Sequence, residues 1–198
     1  PLIVNIGEKL AIKFNNAPLE IQSAYVPDEF YKGVVIAGYG RVGRLIATML
    51  QHADVPYVAF DIDPQRVALG QKEGRYVYYG ELSDYNFISH INLERAQAVI
   101  VTVDNHYNSS KIVSHIRSQY PTLRILSRTR NMQTRDILID YGATWAMPES
   151  VEGSLRLGAE TLLGLGHSSE EVMNLLNFFR KDDYETIRTL HKKETEED

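Results

Sequence analysis

Glycines at 38, 40 and 43 interrupt an otherwise apolar run, VVIAGYGRVGRLIA over residues 34–47, and constrain the fold more than any other feature. The VVIA before them is apolar on both faces, the pattern of a buried parallel strand. After them, Val42, Leu45, Ile46, Met49 and Leu50 recur on one face of a helix. A strand that runs through three glycines into an amphipathic helix opens a βαβ unit. In that unit the first glycine permits the tight turn and the second lets the backbone approach a pyrophosphate. The third lets helix pack on strand, while the helix start presents unpaired N–H groups to an anion. Arg41 sits inside this turn and adds a cation suited to a phosphate.

The rest of the chain continues the alternation. Strand patterns are expected at 57–63, 75–79, 98–103, 124–128 and 143–147, with helices between them at about 64 onward, 83–90, up to 119, and 133–141. Asp63 before Pro64 marks a helix start, and Gly142 a helix stop. Strict alternation with short connections predicts an α/β fold, a doubly wound parallel sheet of six strands over residues 33–148. Ligand in such a fold lies at the carboxyl ends of the strands. Asp61 ends the second strand, at the spacing where a carboxylate accepts ribose hydroxyls and repels a 2′-phosphate.

The flanks read differently. Residues 1–32 lack periodicity and contain Pro18 and Pro27, as a linker or arm does. Residues 149–198 form a helical extension. Leu155, Ala159 and Leu162 share one helical face, Ser168 and Glu171 form a capping box, and Val172, Leu175, Leu176 and Phe179 form a second stripe. The final KKETEED, 192–198, reads as a disordered acidic tail. The two stripes follow a sheet that is already complete, so they must be buried on a second copy, the expected homodimer contact, or by folding back on the same chain.

Several function classes are disfavoured. A net charge of −5 opposes general nucleic-acid binding, and the absence of cysteine removes disulfides and thiolate metal sites. The six histidines show no metal-ligand spacing. Only His106 falls near the expected cleft. Tyr107 and Lys111 match Y-x-x-x-K, the catalytic pair of short-chain dehydrogenases, but the companion glycine pattern and serine are missing. A small NAD-dependent oxidoreductase is therefore the alternative to a domain that binds a nucleotide without reacting it.

The segments GYGRVGRLIATML, VAFDIDPQRV, YYGELSD, AVIVTVDN, RILSRTRN and YGATWAMPES together resemble the RCK domain, also called KTN or TrkA-N. LRLGAETLLGLGHSSEEVMNLLNFFRKDD is similar to the helical tail of Kef-type potassium/proton antiporters. The resemblance implies a Rossmann-like fold and a regulatory, non-enzymatic role. Its cofactor would be an adenine nucleotide, AMP or NAD(H) before ADP or ATP. It further implies a homodimer at the cytoplasmic face of a bacterial inner membrane, covalently linked through residues 1–32 to a transmembrane antiporter domain.

By the same resemblance, Gly38, Tyr39, Gly40, Arg41, Val42 and Gly43 would surround the phosphates. Asp61, Ile62 and Asp63 would take the ribose and adenine side. Gly80, Glu81 and Leu82 would line the adenosine pocket, with Glu81 longer than the aspartate usual in the family. Val103, Asp104, Asn105 and Arg128 would face the rest of the cleft, and Glu149 matches a further acidic position of the family.

Overall fold

A computed structural model of the protein describes residues 32–196, with side chains to residue 189. The expected arm, apart from Lys32, and the last two residues of the tail lie outside the described residues. Six strands form one sheet: β1 Val34–Ala37, β2 Tyr57–Asp61, β3 Val77–Tyr79, β4 Ala98–Val101, β5 Arg124–Thr129 and β6 Trp145–Pro148. Five helices connect them: α1 Arg41–His52, α2 Pro64–Lys72, α3 Tyr85–His90, α4 His106–Gln119 and α5 Met132–Asp140. Two more follow, α6 Glu149–Gly164 and α7 Ser169–Glu196.

Every neighbouring pair of strands is parallel, and the order is β3-β2-β1-β4-β5-β6. The chain therefore winds outward from β1 in one direction, then restarts beside it with β4. That reversal leaves a crevice above β1 and β4 that no connection covers. Alternate side chains of each strand enter opposite layers, as the two-residue period of a strand requires. Val35, Val58, Phe60, Val99 and Ile125 meet Ile112 and Ile116 of α4 and Leu138 of α5. Ile36, Ala59 and Val77 meet Ala47 of α1 and Val67 of α2 on the other face.

The ends of elements moved where a local hydrogen bond outweighed apolar pattern. β3 starts at Val77 rather than 75, because the Arg75 N–H is used in a turn to Gly70 O. β6 starts at Trp145 rather than 143, because the Ala143 N–H closes α5 onto Leu138 O, after Gly142 at φ +104°. α3 starts at Tyr85, with the Asp84 carboxylate accepting the Asn86 N–H at 2.8 Å. Two expected caps are in place: Asp63 accepts from the N–H groups of Gln65 and Arg66, and Ser168 and Glu171 bond reciprocally.

The C-terminal helices depart most from expectation. α6 and α7 pack on each other, burying Ala159 and Val172 and half-burying Leu155 and Phe179. The stripe expected at a dimer contact is thus covered in large part within the chain. A different set, Leu157, Leu165, Met173 and Phe178, stays exposed together with Leu175. α7 breaks at Lys181–Tyr184, where Asp182, Asp183 and Tyr184 adopt left-handed conformations, each costing about 1–2 kcal/mol. Beyond the break the helix runs to Glu196, through most of the segment expected to be disordered. Lysine and glutamate are good helix formers, so a charged composition alone did not decide that segment.

Candidate functional site

The glycine turn leaves the carboxyl end of β1 with Gly38 at φ +98°, a conformation that side chains rarely adopt. A Cβ there would also come within 2.9 Å of Thr102 Oγ1. Thr102, immediately after β4, donates its hydroxyl to Gly38 O at 2.8 Å and so ties the turn to the neighbouring strand. At Gly43 a Cβ would lie 2.1 Å from Gly38 O, so only glycine lets α1 seat this close to β1. Gly40 is the N-cap of α1 and provides no side chain to bond the first N–H groups, and the first turn carries no acidic residue. The helix start is left with its positive end facing the crevice.

The crevice is a cleft of about 300 Å³. Of the residues expected to form a site, it brings together Gly38, Gly40, Arg41, Val42, Asp61 and Ile62 on one side. Gly80, Glu81, Leu82, Val103, Asp104, Asn105 and Arg128 complete its lining from the expected set. Tyr39, Gly43 and Asp63 lie behind it. The Tyr39 ring is buried in the layer under α1 and α2, Gly43 packs on β1, and Asp63 caps α2. His106 is exposed at the start of α4 and lies away from the cleft lining.

Asp61 is 4% exposed and rigidly held. Its Oδ2 accepts the Tyr39 N–H at 2.6 Å and its Oδ1 the Asp63 N–H at 2.8 Å. Oδ2 also accepts from Arg66 Nη1 at 3.4 Å, so the lone pair a hydroxyl could use is on Oδ1. Glu81 Oε1 accepts the Ser83 hydroxyl at 2.7 Å, which fixes the longer acid at the cleft edge. Asn105 caps α4 by accepting the Asn108 N–H.

Three guanidinium groups reach the cleft, and their partners differ. Arg128 is bound by Asp104 and, through Nη1 at 2.8 Å, by Glu149. Arg66 is bound by Asp61 at 3.4 Å and Asp63 at 3.2 Å. Arg41 is exposed in the first turn of α1 and, among the described residues, makes no ion pair. An unneutralised cation beside unpaired helix N–H groups has the chemistry to hold an anion.

Sequence reasoning missed Arg66, Thr102, Phe60, Ser83 and Asn108 as parts of this lining. Arg66 had a usable signal. It is the third residue after the recognised cap Asp63, and helical side chains lean toward the helix start, so it points back to the end of β2. The Y-x-x-x-K match resolves otherwise. Tyr107 is exposed, Lys111 Nζ lies 4.6 Å above its ring as a cation–π pair, and neither residue lines the cleft.

Sheet order, the uncovered crevice at its reversal and the glycine turn beneath it define a Rossmann-like α/β domain. The chain matches the TrkA-N domain family over residues 34–147, more than half its length, and belongs to that family. Solved structures share the fold. The TrkA-N domain of the inner membrane protein ybaL from Escherichia coli is 26% identical, with a TM-score of 0.58 over 69% of this chain and 97% of that one. The Kef C-terminal domain of Shewanella denitrificans in its AMP-bound form is 23% identical, with a TM-score of 0.63 over 79% and 96%. The GsuK channel bound to NAD is 18% identical, with a TM-score of 0.58 over 73% of this chain and 26% of that one.

Proposed function

We propose that the cleft binds an adenine nucleotide, AMP or NAD(H) foremost, and that the domain does no chemistry on it. Its role is to regulate a potassium/proton antiporter to which it is covalently linked at the cytoplasmic face of a bacterial inner membrane. Residues 1–32 would form the link, 33–148 the nucleotide-binding part and 149–198 the extension, in a homodimer. The observation that carries the nucleotide reading is Arg41. It is the one cleft guanidinium without a carboxylate among the described residues, and it stands where α1 leaves its own N–H groups open.

Similar chains support the ligand class, since one is described as AMP-bound and another as bound to NAD. Regulation needs ligand to favour one arrangement of the protein over another. A path for that exists in Arg128, which lines the cleft and holds Glu149, the first residue of α6. The oxidoreductase alternative needs an acid or base beside the reacting ring, and the Tyr107–Lys111 pair does not line the cleft.

Calorimetric titration of the wild type and Arg41→Ala with AMP, NAD and adenosine tests this reading. The variant should lose about 1.5–3 kcal/mol toward AMP and little toward adenosine, because the lost contact is to phosphate. Equal losses for both ligands would remove Arg41 from a phosphate seat. Light scattering should show a dimer, with Leu157, Leu165, Met173 and Phe178 as the apolar surface available to it. A monomer at every concentration would refute that assembly.

A further inference from the structure

Asp61, Asp63 and Arg66 form a cluster at the carboxyl end of β2 that the nucleotide reading leaves unexplained. Asp61 cannot swing, because both donors that fix it, the Tyr39 and Asp63 N–H groups, are backbone. Arg66 can, because it is about half exposed and holds Asp61 only at 3.4 Å. It also forms an ion pair with Asp63, with Nε 3.2 Å from Oδ2, beside the Nη1 bond to Asp61 Oδ2. Its guanidinium also lies over the glycine turn, since a Cβ on Gly40 would sit 3.6 Å from Nη1.

Two carboxylates and one guanidinium leave the cluster with a net negative charge of one. A neutral hydroxyl can approach the fixed Asp61 carboxylate and donate to a remaining lone pair. A phosphate monoester carries roughly −1.5 to −2 and would need a cation that is already engaged twice. A strand-end acid alone is the usual basis for refusing a 2′-phosphate. In this protein a free Arg66 beside that acid would offset the refusal, and the second carboxylate, Asp63, engages the guanidinium edge that Asp61 leaves open.

We propose that Asp63 determines specificity by acting through Arg66. It withholds the guanidinium from the 2′ position, so the site takes adenosine ligands with a free 2′-hydroxyl and refuses those phosphorylated there. The inference rests on the nucleotide reading and adds the positioning residue that narrows the ligand class. Because Asp63 also caps α2, a test must keep the cap. Asparagine caps as well as aspartate and retains an acceptor oxygen, so Asp63→Asn removes the charge alone.

The probes are AMP and adenosine 2′,5′-bisphosphate, which differ only in the 2′-phosphate, titrated calorimetrically into each form of the protein. The wild type should prefer AMP. In Asp63→Asn that preference should shrink by roughly tenfold, the worth of one charge-assisted bond, through tighter binding of the bisphosphate. Adding Arg66→Ala to Asp63→Asn should abolish the gain. A weakened helix would move both ligands together and leave their ratio alone. An unchanged ratio in Asp63→Asn overturns the inference, as does a wild type that binds the bisphosphate as tightly as AMP. Arg66→Ala alone is a second handle on an exposed side chain: it should hold or increase the preference for AMP, and a decrease overturns the inference. If the wild type binds neither AMP nor NAD, the nucleotide reading falls and this one falls with it.

Discussion

In the sheet, the fully buried side chains include Val35, Ile36, Val58, Phe60 and Val99, gathered in two apolar layers. Where α5 meets the C-terminal helices, the largest buried side chain is instead an arginine, Arg135, at 1% exposure. It is paired with Asp136 at 2.8 Å and with Asp183, and lies 5.8 Å over the Tyr184 ring. Arg188 joins the same two aspartates. Beside them Arg180 holds Glu152 at 3.0 and 2.6 Å, and Tyr184 donates its hydroxyl to Glu152 at 2.7 Å. Among the described residues, Val151, Tyr184 and Ile187 form a small apolar cluster there, with Met132, Leu155 and Phe179 packed against it.

Apolar burial is non-directional and adds up over many neighbours, so the sheet should behave as one cooperative unit. The seam depends on a few directional bonds, and three left-handed residues oppose them. It should therefore open first. Its geometry also explains why α7 breaks where it does. The reversal at Asp182–Tyr184 is what lets Asp183 reach Arg135 while Tyr184 turns in beneath Glu152.

The largest effect should come from the sheet. Phe60→Ala should lower global stability by about 3–5 kcal/mol and shift the whole denaturation curve, as read by circular dichroism in urea. Arg135→Ala should cost about 2 kcal/mol, less than a fully buried pair would, because Asp136 and Asp183 are half exposed. Its signature should be local: amides across 180–189 lose protection in hydrogen exchange, while those of β1 and β4 keep theirs. If all amides speed up together, the seam belongs to the sheet's cooperative unit and the contrast is wrong.

The smallest effect is a pH dependence confined to the seam. The hydrogen bond from Arg180 holds the Glu152 carboxyl below its ordinary value of 4.5, against an opposing push from burial. Stability from Glu152 is then present above about pH 4.5 and lost as pH falls through the lowered folded value. Burial, and next the bond to Glu152, push the Tyr184 hydroxyl up from 10.0. Its contribution is whole below pH 10.0 and lost as pH rises toward the folded value. Glu152→Gln should cost about 1 kcal/mol at neutral pH and erase the acid limb of exchange at 180–189. An acid limb that survives in Glu152→Gln would assign it to other carboxylates.

What sequence settled in this protein is whatever depends on near neighbours. The strand and helix periods, the glycine turn and the caps at Asp63 and Ser168 each involve residues close together in the chain, and the acid at the end of β2 stands at a fixed spacing from the glycine turn. The chain could be read for them directly, and the parallel sheet followed from their alternation. Terminal residues of strands were harder to read, because a single turn bond such as Ala143 N–H to Leu138 O decides them. Arg128 with Glu149, Arg135 with Asp183 and Arg188 with Asp136 are separated by 21, 48 and 52 positions. The glycine turn singled out Arg41, but no local pattern marked Arg135 as the arginine that is buried. That was decided only when the strand order brought β5 beside β6 and folded α7 back on α5, since a charge finds its partner by proximity in space.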